Sequence, residues 1–85
     1  ADSTINSMEV FDNTLFLGLD NGELLSFKGS TVSVENSEYL DNRSINLLET
    51  DGNILYIFFE NTTDILIMYK NEDDNYIFET ITTEN

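Results

Sequence analysis

The sequence predicts an all-β fold made of two consecutive four-stranded antiparallel meanders. Two observations point to this fold class. The chain repeats itself after about forty residues, and short apolar or β-branched runs alternate with clusters of Asn, Asp, Gly and Ser. No apolar pattern at i, i+3, i+4 and i+7 is sustained, so helices are not expected.

The internal repeat divides the chain into two units. The segment Ile-Asn-Ser-Met-Glu at Ile5 returns at Ile45 as Ile-Asn-Leu-Leu-Glu, and the register holds through the next apolar run. Further along the chain, aligning the apolar residues of the two units requires an insertion of two residues in the second unit. This alignment pairs residues 24–28 with residues 66–70. Because turns tolerate insertions, such slips do not break the repeat. We therefore predict one domain over residues 1–85, with repeat units 5–40 and 45–83.

Eight strands follow from the β-branched, aromatic and Leu-rich runs between turn clusters. The middle strands of each unit are apolar at nearly every position, which is typical of strands covered on both faces. The fourth strand of the first unit alternates and is more polar, which indicates an outer, half-exposed strand. The predicted strands cover residues 6–11, 14–20, 23–28, 31–36, 44–50, 54–60, 64–70 and 76–82.

The predicted turns favour neighbouring antiparallel strands. Asp20-Asn21-Gly22 is a tight hairpin signal, because Asn and Gly accept positive φ. The first two strands of the first unit are joined by Asp12-Asn13, and the last two strands of the second unit by the acidic loop 71–75. Short links of this kind predict an up-and-down meander in each unit.

The composition limits the functions that the chain can serve. It has 17 acidic and 3 basic residues and a net charge of −14, so it should repel phosphate backbones and anionic lipid. We therefore expect no direct binding to nucleic acid or membranes. The chain has no His and no Cys, and no obvious base for a Ser nucleophile. We predict no enzyme, no catalytic residues and no cofactor, and the sequence shows no signal peptide or membrane-spanning segment.

Residues 15–27 resemble the central hairpin of a β-propeller blade, with an apolar strand, an Asn-Gly turn and a second apolar strand. Most of the chain is similar to two such blades. The second unit has Phe58 where the first has Gly18, and the chain has no Trp, so a Trp-Asp blade motif is missing. The resemblance concerns architecture, because propellers serve unrelated functions.

Two blades cannot close a propeller, which needs about four to eight. The resemblance therefore leaves three alternatives. Three chains could form a six-bladed ring, as in some lectins and fibre-tip proteins with two blades per chain. The chain could belong to a larger propeller, or its two meanders could pack face to face as a sandwich or barrel. Of these we favour a homo-oligomer, such as the trimer of the six-bladed ring, because strands that are apolar on both faces must be covered on both faces.

The predicted function is a non-enzymatic binding or assembly module whose partner is another copy of itself, such as a viral or phage accessory or fibre component. The first alternative is an acidic inhibitor that mimics nucleic acid and blocks a nuclease or another DNA-binding complex. The second is a sugar-binding lectin, although the chain lacks Trp and has few cations.

Few individual residues stand out as sites. Tyr39 and Arg43 lie in the polar link between the units and are the candidates for a ligand or subunit contact. Asp73 and Asp74 belong to a weak candidate loop for a hard cation such as Ca²⁺, but their spacing lacks the order of a calcium-binding loop, so we predict no metal site. Lys28 and Lys70 end corresponding strands and are interpreted as products of the duplication.

Overall fold

A computed structural model of the chain describes residues 3–35 and 38–82, which form strands and turns only. Eight strands make two four-stranded antiparallel sheets, each with its strands in sequence order. The all-β fold class and the two similar, blade-like sheets are thereby confirmed. No helix in the described part of the chain is long and apolar enough to cross a membrane. The strands are β1 (Ile5–Phe11), β2 (Thr14–Leu19), β3 (Leu24–Lys28), β4 (Thr31–Glu35), β5 (Ile45–Thr50), β6 (Leu55–Phe59), β7 (Ile65–Lys70) and β8 (Tyr76–Ile81).

The strand ends agree with the predicted ends to within one residue wherever they can be compared, because local turn chemistry sets them. Asp12 and Asn13 have φ values of 56° and 55°, so they form the two-residue hairpin between β1 and β2. The predicted end of β4 at Asn36 lies outside the described residues.

Glycine is required in the hairpin between β2 and β3. Gly22 has a φ of +94°, and its N–H donates to the carbonyl oxygen of Leu19 at 3.1 Å. A Cβ at this position would lie 2.4 Å from the backbone carbonyl carbon of Asn42. Gly22 therefore allows the hairpin to turn. It also allows the linker between the sheets, of which residues 38–44 are described, to pack directly on the hairpin.

The two sheets pack face to face, with β1 beside β5. Strand pairing places alternate residues on opposite faces of each sheet. The two faces that contact each other are called the packed faces. The outward face of the sheet of β1 to β4 is called the first open face, and the outward face of the sheet of β5 to β8 is called the second open face. The core between the packed faces is closed at one end by Leu40 of the linker. The other core residues are Phe11, Phe16, Leu24, Ile45, Leu48, Leu55, Ile57, Phe59, Leu66 and Met68.

The sheets approach each other closely at Gly18 on β2. A Cβ built there would lie 2.5 Å from Cγ2 and 3.2 Å from Cβ of Ile45, whose side chain is completely buried. Two hydrogen bonds fix the same contact. The Asn6 side-chain amide donates to the carbonyl oxygen of Ile45 at 2.9 Å, and the N–H of Leu48 donates to Ser7 Oγ at 3.0 Å. The missing side chain at Gly18 therefore sets the distance between the sheets.

Strand register corrects the repeat alignment in the third strand of each unit. Leu17 pairs with Leu25 in the first sheet, and its counterpart Ile57 pairs with Leu66 in the second. Leu25 therefore corresponds to Leu66. In this strand the second unit is shifted by one residue relative to the first, and not by the two residues that the sequence alignment of the repeats suggests. Leu24 and Leu25 are adjacent, and Leu66 is flanked by apolar residues, so the sequence alone could not distinguish the two registers.

We expect Gly18→Ala to lower the free energy of unfolding by about 1–3 kcal/mol, because the added methyl group overpacks the contact with Ile45. Denaturant unfolding measures the change. Gly29→Asn is the control, since Gly29 has a φ of +63° that Asn accepts and a Cβ there would meet nothing within 4 Å. Combination with Ile45→Ala, which lacks Cγ2, should be less than additive. Stability equal to that of the unmodified protein would show that the contact at Gly18 is not tight.

Candidate functional site: the open sheet faces and a polar cleft

The first open face, on the sheet of β1 to β4, is apolar at every strand position. Several of its side chains are highly exposed, including Met8 at 63% and Val10 at 60%. None of the charged residues of this acidic chain projects from a strand onto this face. Its residues are Ile5, Met8, Val10, Leu15, Leu17, Leu19, Leu25, Phe27, Val32 and Val34.

The second open face, on the sheet of β5 to β8, is largely apolar and aromatic. Leu47 is 40% exposed and Ile81 is 42% exposed, and most of the residues between them are half-buried. Its two charged residues are Glu49 and Glu79, and Glu79 accepts a hydrogen bond of 2.6 Å from the Tyr69 hydroxyl. The remaining residues are Tyr56, Phe58, Ile65, Ile67 and Ile77.

Together these faces hold nearly all the exposed apolar side chains. Of the large hydrophobic residues that are exposed in the described chain, every one except Tyr39 lies on an open face. Contiguous exposed apolar surface on this scale is typical of interaction sites. The middle strands were predicted to be covered on both faces, whereas the described part of one chain covers only one face of each sheet.

A polar cleft of about 380 Å³ opens between the sheets where the packed face of the first sheet turns hydrophilic. Tyr76 forms its apolar wall, with its ring 6.1 Å from that of Phe16 between centroids. Lys28 and Lys70 both line this cleft. The sequence alignment of the repeats did not predict that the two side chains would share a site. The other lining residues are Thr14, Ser26, Thr31, Ser33, Glu35 and Asp74.

An ionic network beside the cleft joins the two sheets. The Lys70 ammonium lies 2.9 Å from the Asp12 carboxylate and 3.1 Å from that of Asp74, and the Tyr76 hydroxyl donates to Asp12 at 2.8 Å. The hydrogen bond from Lys70 is the main cause that lowers the pKa of Asp12 and the main cause that raises the pKa of Lys70. Burial, followed by the Asp12 bond, raises the pKa of Tyr76 to about 12.

The one serine buried in this cleft is engaged in a structural hydrogen bond. Ser26 is 7% exposed, and its hydroxyl donates to Glu35 across the β3–β4 pair at 2.6 Å. The hydrogen bond satisfies a buried polar group and holds Glu35 at the edge strand.

Arg43, a predicted contact residue, is bound within the chain. Its Nη1 donates to both oxygens of Asp64, at 2.9 and 3.0 Å, and its Nη2 donates to the carbonyl oxygen of Tyr39 at 2.8 Å. The guanidinium carbon also lies 3.8 Å from the centre of the Phe59 ring. The bond from Arg43 is the main cause that lowers the pKa of Asp64. Arg43 therefore attaches the linker to the second sheet, and its contact with a ligand or subunit stays a prediction.

Tyr39 is 43% exposed at the surface of the linker. The linker turns at Asp41 and Asn42, which both have positive φ, and the N–H of Arg43 closes the turn on the carbonyl oxygen of Leu40 at 2.9 Å. This turn buries Leu40 and leaves Tyr39 outward. Its predicted role in a ligand or subunit contact also stays a prediction, and Ser37 of the same link lies outside the described residues.

The acidic loop 71–75 is organised by its own hydrogen bonds. The side-chain oxygen of Asn71 accepts from the N–H groups of Asp73 and Asn75, at 2.9 and 3.0 Å. The Asp74 carboxylate lies 3.1 Å from the Lys70 ammonium, and both Asp73 and Asp74 are exposed. Within residues 3–35 and 38–82, no group of three or more His, Cys, Asp or Glu side chains could hold a metal ion.

Comparisons with known proteins found no match for the chain among protein-family models, curated proteins or solved structures.

We expect Asp12→Asn to lower the free energy of unfolding by about 1–2 kcal/mol at neutral pH, because it removes the charged acceptor of Lys70 and Tyr76. The pKa of Asp12 is lower in the folded than in the unfolded chain. Its stabilisation is therefore present above the ordinary value of 3.8 and is lost as the pH falls through the folded value.

The measurement is denaturant unfolding of both proteins between neutral pH and about pH 3. The difference should shrink as the pH falls below about 4, because the unfolded chain takes up the proton first, and a folded Asp12 that is protonated at still lower pH resembles Asn. Asp73→Asn, in the exposed part of the same loop as Asp74, is the control and should change stability little. A difference that is independent of pH would contradict the assigned ionic network.

Proposed function

We propose that this chain is a non-enzymatic assembly module whose two blade-like sheets are completed by other copies of the same chain. The observation that carries the proposal is the first open face, which is apolar at every strand position although the chain has a net charge of −14. A sheet face without charged residues gains free energy when it is covered, at about 25 cal/mol per Å² of apolar surface.

The positions of the acidic residues also support assembly. Asp12, Asp20, Asp51 and Asp73 lie in turns, and the strands that end in those turns carry the open faces. Turns of a meander lie at its two opposite ends, so the charges surround the apolar faces and are not gathered on one of them. Like charges at the rim limit nonspecific association and leave the apolar faces available for a specific partner.

A nucleic-acid mimic is the second candidate, favoured by the net charge of −14. Such an inhibitor would present carboxylates at phosphate-like spacing to a basic cleft, and its binding would weaken steeply with salt. Capture of basic nucleic-acid-binding proteins at low salt, lost at moderate salt and displaced by DNA, would favour this candidate over assembly.

We expect the purified chain to associate at micromolar concentration, with a mass above the 9.7 kDa of one copy. Association should persist or strengthen between about 50 and 500 mM salt, because salt screens the repulsion between acidic chains and leaves apolar contact intact. Light scattering and sedimentation across a concentration and salt series measure both effects. A well-folded monomer of 9.7 kDa at micromolar concentration would contradict the proposal.

A further inference from the structure

We propose, building on the self-assembly proposed above, that the second open face of one copy docks on the first open face of another. The arrangement is the one that the two packed faces already adopt within a single chain. The partner of each open face is therefore a second copy, and the contact joins two different surfaces.

The strand registers show which faces of the two sheets correspond. Leu17 pairs with Leu25 on the first open face, and their counterparts Ile57 and Leu66 form a pair on the packed face of the second sheet. Most β1, β2 and β3 positions of the first open face correspond in this way to residues that are already buried against the first sheet. For example, Met8 is 63% exposed, while its counterpart Leu48 is 2% exposed.

The second open face has the complementary relation. Tyr56 and Ile65 on this face correspond to Phe16 and Leu24, which are completely buried on the packed face of the first sheet. Each open face is thus the repeat counterpart of one side of the contact within the chain. Docking the second open face on the first open face of another copy continues that contact from chain to chain.

The two glutamates of the second open face occupy positions that stay accessible in such a contact. Glu49 corresponds to Glu9, which is half-exposed beside the second sheet, and Glu79 corresponds to Ser33, which is exposed in the polar cleft. The gap between the sheets widens at that cleft. Both carboxylates therefore reach water in the docked arrangement, and no unpaired charge is buried.

A side-chain hydrogen bond should also recur between copies. Within the chain, the Asn6 amide donates to the carbonyl oxygen of Ile45 at 2.9 Å. The counterparts are Asn46, which is exposed on β5, and the carbonyl group of Ile5 on another copy. A bond from Asn46 to Ile5 would fix the register of the docked sheets.

Two differences make the contact between copies wider than the contact within the chain. Phe58 stands where Gly18 allows the close approach of Ile45, and Leu47 stands where Ser7 accepts a hydrogen bond from the backbone. In the docked arrangement Ile5 of the next copy would therefore contact the ring of Phe58, whereas Ile45 within the chain occupies the space beside Gly18. The apolar character of the contact is kept, while the spacing of the sheets changes.

The joined surfaces lie on opposite sides of one chain, so an open assembly always keeps one free face of each type, one at each end. Contacts of this head-to-tail kind continue until the rotation between copies closes a ring, or they form a filament. An isologous dimer, in which one face meets itself, would stop at two copies. The two arrangements can be distinguished by blocking one face at a time.

The test uses Met8→Glu to block the first open face and Leu47→Glu to block the second. Ser30→Glu adds the same charge in the exposed turn after β3 and is the control. Circular dichroism establishes that each variant is folded. Any variant that is not folded is replaced by Val32→Glu, at a side chain 54% exposed on the first open face, or by Tyr56→Glu, on the second open face at the counterpart of the buried Phe16.

Each blocked variant alone should be monomeric, while Ser30→Glu should assemble like the unmodified chain. An equimolar mixture of the two blocked variants should form a 1:1 complex of twice the 9.7 kDa chain mass and grow no further, since only one pair of intact faces remains. In the unmodified background, Asn46→Ala should weaken association by about 2–10-fold, the loss expected for one hydrogen bond.

Assembly by either blocked variant alone would indicate an isologous contact and overturn the inference, as would a mixture that stays monomeric. An Asn46→Ala variant that assembles normally would overturn the repeated register. If the unmodified chain is itself monomeric, the proposed self-assembly fails with it. If the unmodified chain assembles and the mixture does not, only the head-to-tail arrangement is wrong.

Discussion

The close contact of β5 with the first sheet at Gly18 is the constraint on which the rest of the structure depends. Each sheet is a meander, and one chain buries a face of both sheets by packing them against each other. The contact at Gly18 places Ile45 and Leu48 in the core and sets the spacing between the sheets. The network around Asp12, which joins the first sheet to Lys70 of the second, then forms at the distances that this spacing allows.

Charge and apolar surface are separated in this molecule. The acidic side chains lie mainly in turns and at sheet edges, whereas the open faces are almost uncharged. Chains with a net charge of −14 repel one another at a distance, so the self-assembly proposed above would depend on close contact between the open faces. Such a balance would favour one docking arrangement over nonspecific aggregation, because misaligned sheets would bring the charged ends together.

The candidate site could be read from the sequence only in part. The open faces were visible as strands that are apolar at nearly every position, because that pattern is local. The cleft that contains Lys28 and Lys70 was not, since it depends on both side chains pointing into the same gap between the sheets. The pairing of Arg43 with Asp64 was hidden for the same reason, because the two residues lie in different turns that only the folded sheets bring together.

The sequence by itself determined the all-β class, the eight strands, their ends and their meander order. These properties depend on local chemistry: β-branched runs form strands, and residues such as Asn13 and Gly22 accept the positive φ of tight turns. Only the tertiary structure decided which face of each sheet is packed and how the repeats correspond in register. A strand that is apolar on both faces carries no alternation to mark its buried side. That choice is made by fit between the sheets, above all by the space that Gly18 leaves for Ile45.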